Sequence, residues 1–185
     1  SRGLGDVYKR QFTYHSKNLS TSIFIISSLI YTEDGIFDFP SIKKIDQYPQ
    51  RRFLEYFTQD YNNIHEIKKH WITSQERINL DTKIKFFKTH HLNCKVDNYP
   101  FTNKECTRAT IYIVRDPRNL VNSFTNHYSM DKDKATRFLV HQTPTFASGH
   151  MDVEEKDNNI FTLISCWKDH YVSWTRNNQK LLVIR

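Results

Sequence analysis

The chain has 185 residues, a net charge of +7, 38% hydrophobic residues, 14% aromatic residues and four glycines. This composition is typical of one globular domain with its own core, and it excludes a disordered chain, a flexible linker and a repeat array. The positive charge favours an anionic partner, such as a nucleotide, a nucleic acid or an acidic substrate. No window of the sequence approaches the roughly 18 apolar residues of a membrane span, so none is predicted.

The cysteines predict free thiols. Cys94, Cys106 and Cys166 are odd in number and have no CxxC spacing, so we expect neither a disulfide framework nor a zinc site, and no metal cofactor. The sequence begins without an apolar secretory signal. Together with the thiols, this predicts a cytoplasmic protein.

Both ends of the sequence are unusual. Residues 1–11, SRGLGDVYKRQ, have no apolar periodicity, and we interpret them as a non-native or assembly-derived segment. Residues 12–185 are then a partial domain. Its last residues, KLLVIR, predict a buried strand that stops abruptly at Arg185. We therefore expect a fragment truncated at both ends and lacking its first strand.

Between these ends, apolar runs alternate with amphipathic segments. The run at 22–31 fits a strand or a buried helix, short helices are predicted at 53–57 and 64–74, and a strand at 83–87. A loop at 93–107, a strand at 109–114, helices at 117–128 and from about 131, a polar loop at 142–158, a helix at 160–176 and a strand at 181–184 follow. This alternation predicts an α/β fold with a mainly parallel central sheet flanked by helices.

The stretch IYIVRDPRNLVNSF is the most informative part of the sequence. A buried strand ends at Arg115, Asp116 is a predicted N-cap, and Pro117 suits the first helical position. Ligands of parallel sheets bind beyond the carboxyl ends of the strands, where a guanidinium and a helix N-terminus favour phosphate. Ser123, eight residues after Arg115, could add a hydroxyl. The alternative is that Arg115 pairs with a carboxylate and Asp116 only caps the helix.

This stretch resembles the 3′-phosphate-binding segment of sulfotransferases that use 3′-phosphoadenosine 5′-phosphosulfate (PAPS), with matches at Arg115, Pro117 and Ser123. FFKTHH resembles the family's strand ending in Lys-Thr-His, and SCWKDHYVSWTRNNQKLLVIR resembles its helix with Trp, His and Trp and the strand that follows. The resemblance covers about residues 16–185. It implies an incomplete P-loop nucleotide-hydrolase-like sulfotransferase fold. It also implies transfer of a sulfonate from PAPS to a hydroxyl or amine of a small molecule, glycan or lipid.

The resemblance also implies roles for individual residues. His90 matches the base that removes the acceptor proton, while the side chain of the adjacent His91 should point elsewhere. Arg115 and Ser123 would bind the 3′-phosphate of the cofactor. The helical spacing, independently of the resemblance, predicts that Trp167 and Trp174 pack in the core and that His170 forms a hydrogen bond there or faces solvent.

The family's phosphosulfate loop corresponds to SKNLSTSIF, residues 16–24, where Lys17 and Thr21 match cofactor-binding positions. Lys17 would neutralise the leaving phosphate during catalysis. Leu19 stands at the family's glycine position, where a side chain blocks close approach of the backbone to phosphate. Either the loop has diverged or a frameshift has altered the sequence. The family's loop that closes over the 3′-phosphate would lie beyond Arg185, so this chain is expected to bind cofactor poorly.

Three alternatives remain open. One is a P-loop kinase-like nucleotide-binding protein, although neither Gly-Lys-Ser/Thr nor a magnesium-binding Asp at a strand end is evident. Another is a catalytically dead fragment that retains only the half-site for the 3′-phosphate. A basic module that binds nucleic acid is the least favoured, because the lysines and arginines are dispersed rather than clustered.

Overall fold

A five-stranded parallel sheet lies at the centre of the structure, a computed structural model that describes residues 11–14 (backbone only), 45–81, 83–141, 160–176 and 180–185. The strands are β1 (Gln11–Tyr14), β2 (Asp46–Gln47), β3 (Phe87–Thr89), β4 (Lys95–Val96), β5 (Tyr99–Pro100), β6 (Thr110–Ile113) and β7 (Leu181–Ile184). The sheet has the order β2-β3-β1-β6-β7, and β4 and β5 form a separate antiparallel hairpin. The mixed α/β class with a parallel sheet is confirmed.

Helices connect and cover these strands. They are α1 (Arg51–Leu54), α2 (Ile64–Ile67), a 3₁₀ turn (Lys68–His70), α3 (Trp71–Ile78), α4 (Pro117–Tyr128), α5 (Lys132–Val140) and α6 (Trp167–Arg176). The predicted starts of α4 and α5 are confirmed, because Asp116 and Asp131 each accept a hydrogen bond from a backbone amide in the first turn. Such caps satisfy amide groups that have no partner inside the helix.

The register of the sheet brings the ends of three strands to one level. Thr13 of β1 pairs with Thr89 of β3 on one side and with Tyr112 of β6 on the other. The chain proceeds from β1 to β2 on one side of the sheet, and from β6 to β7 on the other. The carboxyl ends of β1 and β6 therefore flank a topological switch point, the usual position of a ligand crevice in parallel α/β sheets.

The expectation that the first strand is missing is wrong. Gln11–Tyr14 forms the middle strand of the sheet, with parallel partners on both sides. Gln11, the last residue of the segment interpreted as non-native, is the first residue of that strand. A strand of four residues is too short to display a reliable period, and its pairing is decided by partners that are distant in sequence.

Three further boundaries differ from the sequence-based expectation. The strand predicted at 83–87 lies instead at Phe87–Thr89, and the predicted loop at 93–107 contains the β4–β5 hairpin. Asp97 adopts φ 53° in the hairpin turn, a conformation that Asp tolerates better than most residues. The last helix begins at Trp167 rather than 160, after Ser165 with φ 62°.

Aromatic side chains dominate the core. A large cluster contains the buried residues Tyr48, Trp71, Phe101, Tyr112 and Trp174. A smaller cluster packs α4 against α5 through four other buried side chains, Leu120, Phe124, Ala135 and Leu139. The base of α4 is therefore fixed by packing as well as by its cap.

The central position of β1 can be tested with Thr13→Pro. Proline removes a backbone N–H and is poorly tolerated in the middle of a sheet, so we expect a large loss of stability, on the order of 3 kcal/mol or more. Thr13→Val keeps the N–H and the β-branched shape and should cost much less. Urea unfolding of the two variants would contradict the assignment of β1 if their midpoints were equal.

Candidate functional site

The turn between β6 and α4 forms one half of the candidate site. The amide of Val114 donates to the carbonyl of Ile184 at 2.8 Å, extending the pairing with β7 by one residue. Asp116 then accepts a hydrogen bond from the amide of Arg118 at 2.9 Å, and Pro117 occupies the first helical position. This geometry leaves Arg115 at the carboxyl edge of the sheet, immediately before the positive end of the α4 dipole.

Asp116 is bound to an arginine other than Arg115. Its carboxylate accepts hydrogen bonds from Nε of Arg118 at 3.0 Å and also contacts the terminal guanidinium nitrogen. These side-chain bonds, together with the bond from the Arg118 amide, lower the pKa of Asp116 to about 2. Among the described residues no carboxylate forms an ion pair with the half-buried Arg115. The alternative in which Arg115 has a carboxylate partner therefore gains no support from this part of the chain.

Ser123 lies farther along α4. It is half-buried beside Leu120 and Phe124, which pack against α5. Since a helix rises about 1.5 Å per residue, Ser123 is roughly 9 Å along the axis from Pro117. The structure thus brings Arg115 to the edge of the sheet and Ser123 to the body of the helix that begins there.

The end of β3 forms the other half of the site. The two adjacent histidines that follow it differ in their exposure. His91 is fully buried, with its ring stacked on Phe101 at a centroid distance of 4.1 Å and in edge contact with Trp71. His90 is half-buried. Its position is level with the end of β1, and one strand separates it from β6.

Burial decides the protonation of His91. Desolvation lowers the pKa of its imidazole to about 4, although the Nδ1–H bond to the Leu92 carbonyl at 2.7 Å partly opposes this effect. The ring is therefore neutral at neutral pH and inaccessible to an acceptor. Between the two histidines, only His90 has the exposure that a general base requires.

One helix binds the main chain at both strand ends. Nε1 of Trp167 donates to the carbonyl of Arg115 at 3.3 Å. Nε2 of His170 lies 3.3 Å from the carbonyl of His90, one turn farther along α6. Because the two contacts come from the same helix, the backbone of Arg115 and that of His90 are held relative to each other.

The contribution of His170 was incompletely predicted from the sequence. The expected buried hydrogen bond is present, since Nδ1 lies 3.0 Å from the Tyr112 hydroxyl and the ring is fully buried. The second bond, to the end of β3, was missed. The available signal was the recurrence of Trp167, His170 and Trp174 at helical spacing, each with a ring N–H that a buried site must satisfy.

Several predicted residues lie outside the part of the chain that the structure describes. These are Lys17 and Thr21 of the expected phosphosulfate loop, the apolar run at 22–31 and the polar loop at 142–158. In the sequence, Lys17 follows the last residue of β1 by three positions. The expected phosphosulfate loop therefore follows β1 in the sequence, which is the order that the resemblance requires.

Two further searches cover only the described residues. Across these ranges, no group of three or more His, Cys, Asp or Glu side chains could hold a metal ion. No helix in them is both long and apolar enough to cross a membrane. Cys94, Cys106 and Cys166 are not joined by a disulfide.

We expect His91 to make stability depend on pH between about 6.5 and 4. Because burial holds the folded-state pKa near 4, below the ordinary value of 6.5, the unfolded chain binds protons more readily in this window. The contribution of the neutral His91 ring to the free energy of unfolding is fully present above about pH 6.5. It should fall by up to about 3 kcal/mol as the pH drops toward 4. When the free energy of unfolding, measured with urea, is plotted against pH across this range, the slope should be shallower for His91→Phe than for the wild type. This variant keeps an aromatic ring against Phe101.

The control for this measurement is Ile67→Val at another fully buried position. It should cost about 0.5–1.5 kcal/mol at every pH and leave the slope unchanged. If the free energy of unfolding of His91→Phe depended on pH as steeply as that of the wild type, the assignment of this pH dependence to the His91 ring would be contradicted.

Comparisons with known proteins found no family model, no curated protein and no solved structure that matches this chain.

Proposed function

We propose that the chain is a domain of a PAPS-dependent sulfotransferase, which transfers a sulfonate to a hydroxyl or amine acceptor. The observation that carries the proposal is the environment of Arg115. Arg115 is a half-buried residue at the carboxyl edge of a parallel sheet, just before the N-terminus of a helix, while the nearest carboxylate in sequence is bound to Arg118. Positive charge without a described carboxylate partner, next to aligned amide groups, suits a phosphate.

The finer fold is part of the same proposal. We assign the chain to the P-loop nucleotide-hydrolase-like sulfotransferase fold. Support comes from the central position of β1 and from the sequence order, in which residues 16–24 follow β1 almost directly. A phosphate-binding loop after the central strand would face the crevice that flanks β6.

The proposed arrangement allows one nucleotide to reach both strand ends. Neighbouring strands lie about 4.8 Å apart, so the ends of β3 and β6 are separated laterally by roughly 10 Å across β1. Arg115 would hold the 3′-phosphate at one end of the cofactor. His90 would face the sulfonate and the acceptor at the other end.

The chemistry follows from these positions. An acceptor oxygen or nitrogen attacks sulfur, and the bond between sulfur and the bridging oxygen of the anhydride breaks. His90 takes the acceptor proton, and 3′-phosphoadenosine 5′-phosphate leaves with the electron pair of that bond. Lys17 is proposed to neutralise the charge that develops on the leaving phosphate. No step requires a metal or a redox partner.

The 3′-phosphate assignment predicts selective stabilisation. At about 100 times the dissociation constant, 3′-phosphoadenosine 5′-phosphate should raise Tm by roughly 5–10 °C, whereas adenosine 5′-phosphate at the same concentration should do so much less. Arg115→Ala should abolish the difference, because it removes the guanidinium fork. Differential scanning fluorimetry with both nucleotides measures this directly.

Arg137→Ala provides the matched control, since it removes the same charge from an exposed position on α5. It should preserve the nucleotide preference. Equal shifts from the two nucleotides in the wild-type chain would contradict the 3′-phosphate assignment. A larger shift with magnesium and ATP would instead favour the kinase-like alternative.

The role of His90 predicts a separation of binding from turnover. His90→Ala should keep the shift with 3′-phosphoadenosine 5′-phosphate and lose about 10²–10⁴-fold in transfer from ³⁵S-labelled PAPS. The acceptor panel should include a phenol, a sterol, an oligosaccharide and an amine. His65→Gln, at an exposed position on α2, is the control. Turnover retained in His90→Ala would exclude His90 as the base.

A further inference from the structure

The main chain that carries His90 is fixed from the side of α6. The carbonyl of His90 lies 3.3 Å from Nε2 of His170, and the amide of Asn93 donates to Oγ of Ser173 at 3.2 Å. His170 and Ser173 are three positions apart and so lie on one face of the helix. The segment after β3 therefore rests on α6 at both its beginning and its end.

The hydrogen-bonding partners define which nitrogen of His170 carries the proton. A carbonyl oxygen can only accept, so Nε2 must donate to His90. Nδ1 of the neutral ring then accepts from the Tyr112 hydroxyl at 3.0 Å. Burial raises the pKa of that hydroxyl, so it remains a donor across the ordinary pH range. A chain of two bonds thus runs from β6 through His170 to the end of β3.

We propose that His170 is a positioning residue for His90 and acts through the main chain. This inference rests on the proposed function, in which His90 is the base. Fixing the carbonyl of His90 restrains the peptide plane that follows it and hence the direction of its Cα–Cβ bond. His170 is fully buried and does not itself reach the substrate.

The neighbours of His90 strengthen this argument. On one side Thr89 is fully buried at the end of β3, and on the other His91 is fully buried against Phe101. The carbonyl of His91 also accepts from Nε1 of Trp174 at 3.0 Å. His90 is thus a half-buried residue between two anchored ones, and its own backbone contact with α6 completes the restraint.

The test uses the full chain with isotope-labelled histidine and 3′-phosphoadenosine 5′-phosphate as the probe. In the wild type we expect the nucleotide to raise Tm and to move the NMR signals of the His90 ring. His170→Phe should keep the Tm shift, which depends on Arg115, and lose the response of His90. His170→Gln places an amide donor near the position of Nε2 and should restore much of that response.

Ser173→Ala is the matched control, since it removes one hydrogen bond between the same helix and the same segment at Asn93. It should leave the response of His90 intact. If His170→Phe does not fold, Tyr112→Phe decides, because it removes the hydroxyl that holds the His170 ring through Nδ1 and should therefore weaken the response of the His90 ring to the nucleotide. A response of His90 as large as in the wild type would overturn the inference.

The outcomes separate the two proposals. Absence of a Tm shift in the wild type would overturn the proposed function, and this inference with it. A Tm shift accompanied by a normal response of His90 in His170→Phe would overturn the inference alone. Retained binding, a lost response in His170→Phe and its rescue by His170→Gln would support both.

Discussion

The carbonyl groups at the ends of the parallel strands need partners, and α6 supplies them. Where β3 and β6 stop, the ladder no longer satisfies the main chain, and an unpaired buried carbonyl costs about 1–3 kcal/mol. Ring N–H groups of Trp167, His170 and Trp174 lie within hydrogen-bonding distance of the carbonyls of Arg115, His90 and His91. Such rings have few rotamers, so each contact restricts position as well as satisfying an acceptor. The geometry of the candidate site therefore depends on the seating of one helix.

That seating is itself determined by the core. Trp174 is fully buried in the aromatic cluster, and its ring makes edge contact with Phe101, on which His91 is stacked. His91 is anchored in this cluster, whereas the adjacent His90 is half-buried. A change in this cluster would consequently alter the backbone that carries the proposed base, even at positions that contact no ligand. Packing and site geometry are coupled through the same few rings.

The sequence predicted the elements whose signals are local. Asp116 and Pro117 defined the start of α4, and apolar runs defined β6 and β7, because caps and short apolar strands are encoded by adjacent residues. The expectation that the last strand is buried is wrong, since β7 lies at the edge of the described sheet and exposes Leu182 and Ile184. The position of β1 was not predictable, since its four residues become a strand through partners roughly 75–100 positions away in the sequence. The start of α6 was also misplaced.

The reason for that error lies in the partners of the residues before Trp167. Apolar spacing alone suggested a helix from 160, but the amide of Phe161 donates to Tyr61 and the carbonyl of Leu163 accepts from Leu92. The segment is held extended by tertiary hydrogen bonds. In the site, the pattern identified Arg115 and His90 as candidates but could not show that α6 contacts the backbone of both. Those bonds depend on the three-dimensional arrangement rather than on residue type.

The difference between two arginines separated by two residues illustrates the electrostatic logic of the proposed phosphate site. Arg118 has a side chain that is 88% exposed and is paired with the capping carboxylate of Asp116. That pairing is local, since the two residues stand two positions apart at the start of α4. The pairing also neutralises the carboxylate that is nearest to Arg115 in the sequence. Without it, the negative charge of Asp116 would partly cancel the positive charge of Arg115 at the edge of the sheet. An Asp cap without Arg118 would place an uncompensated negative charge beside the proposed ligand phosphate. The pair Asp116–Arg118 thus permits a charged cap at a position where an anion is proposed to bind.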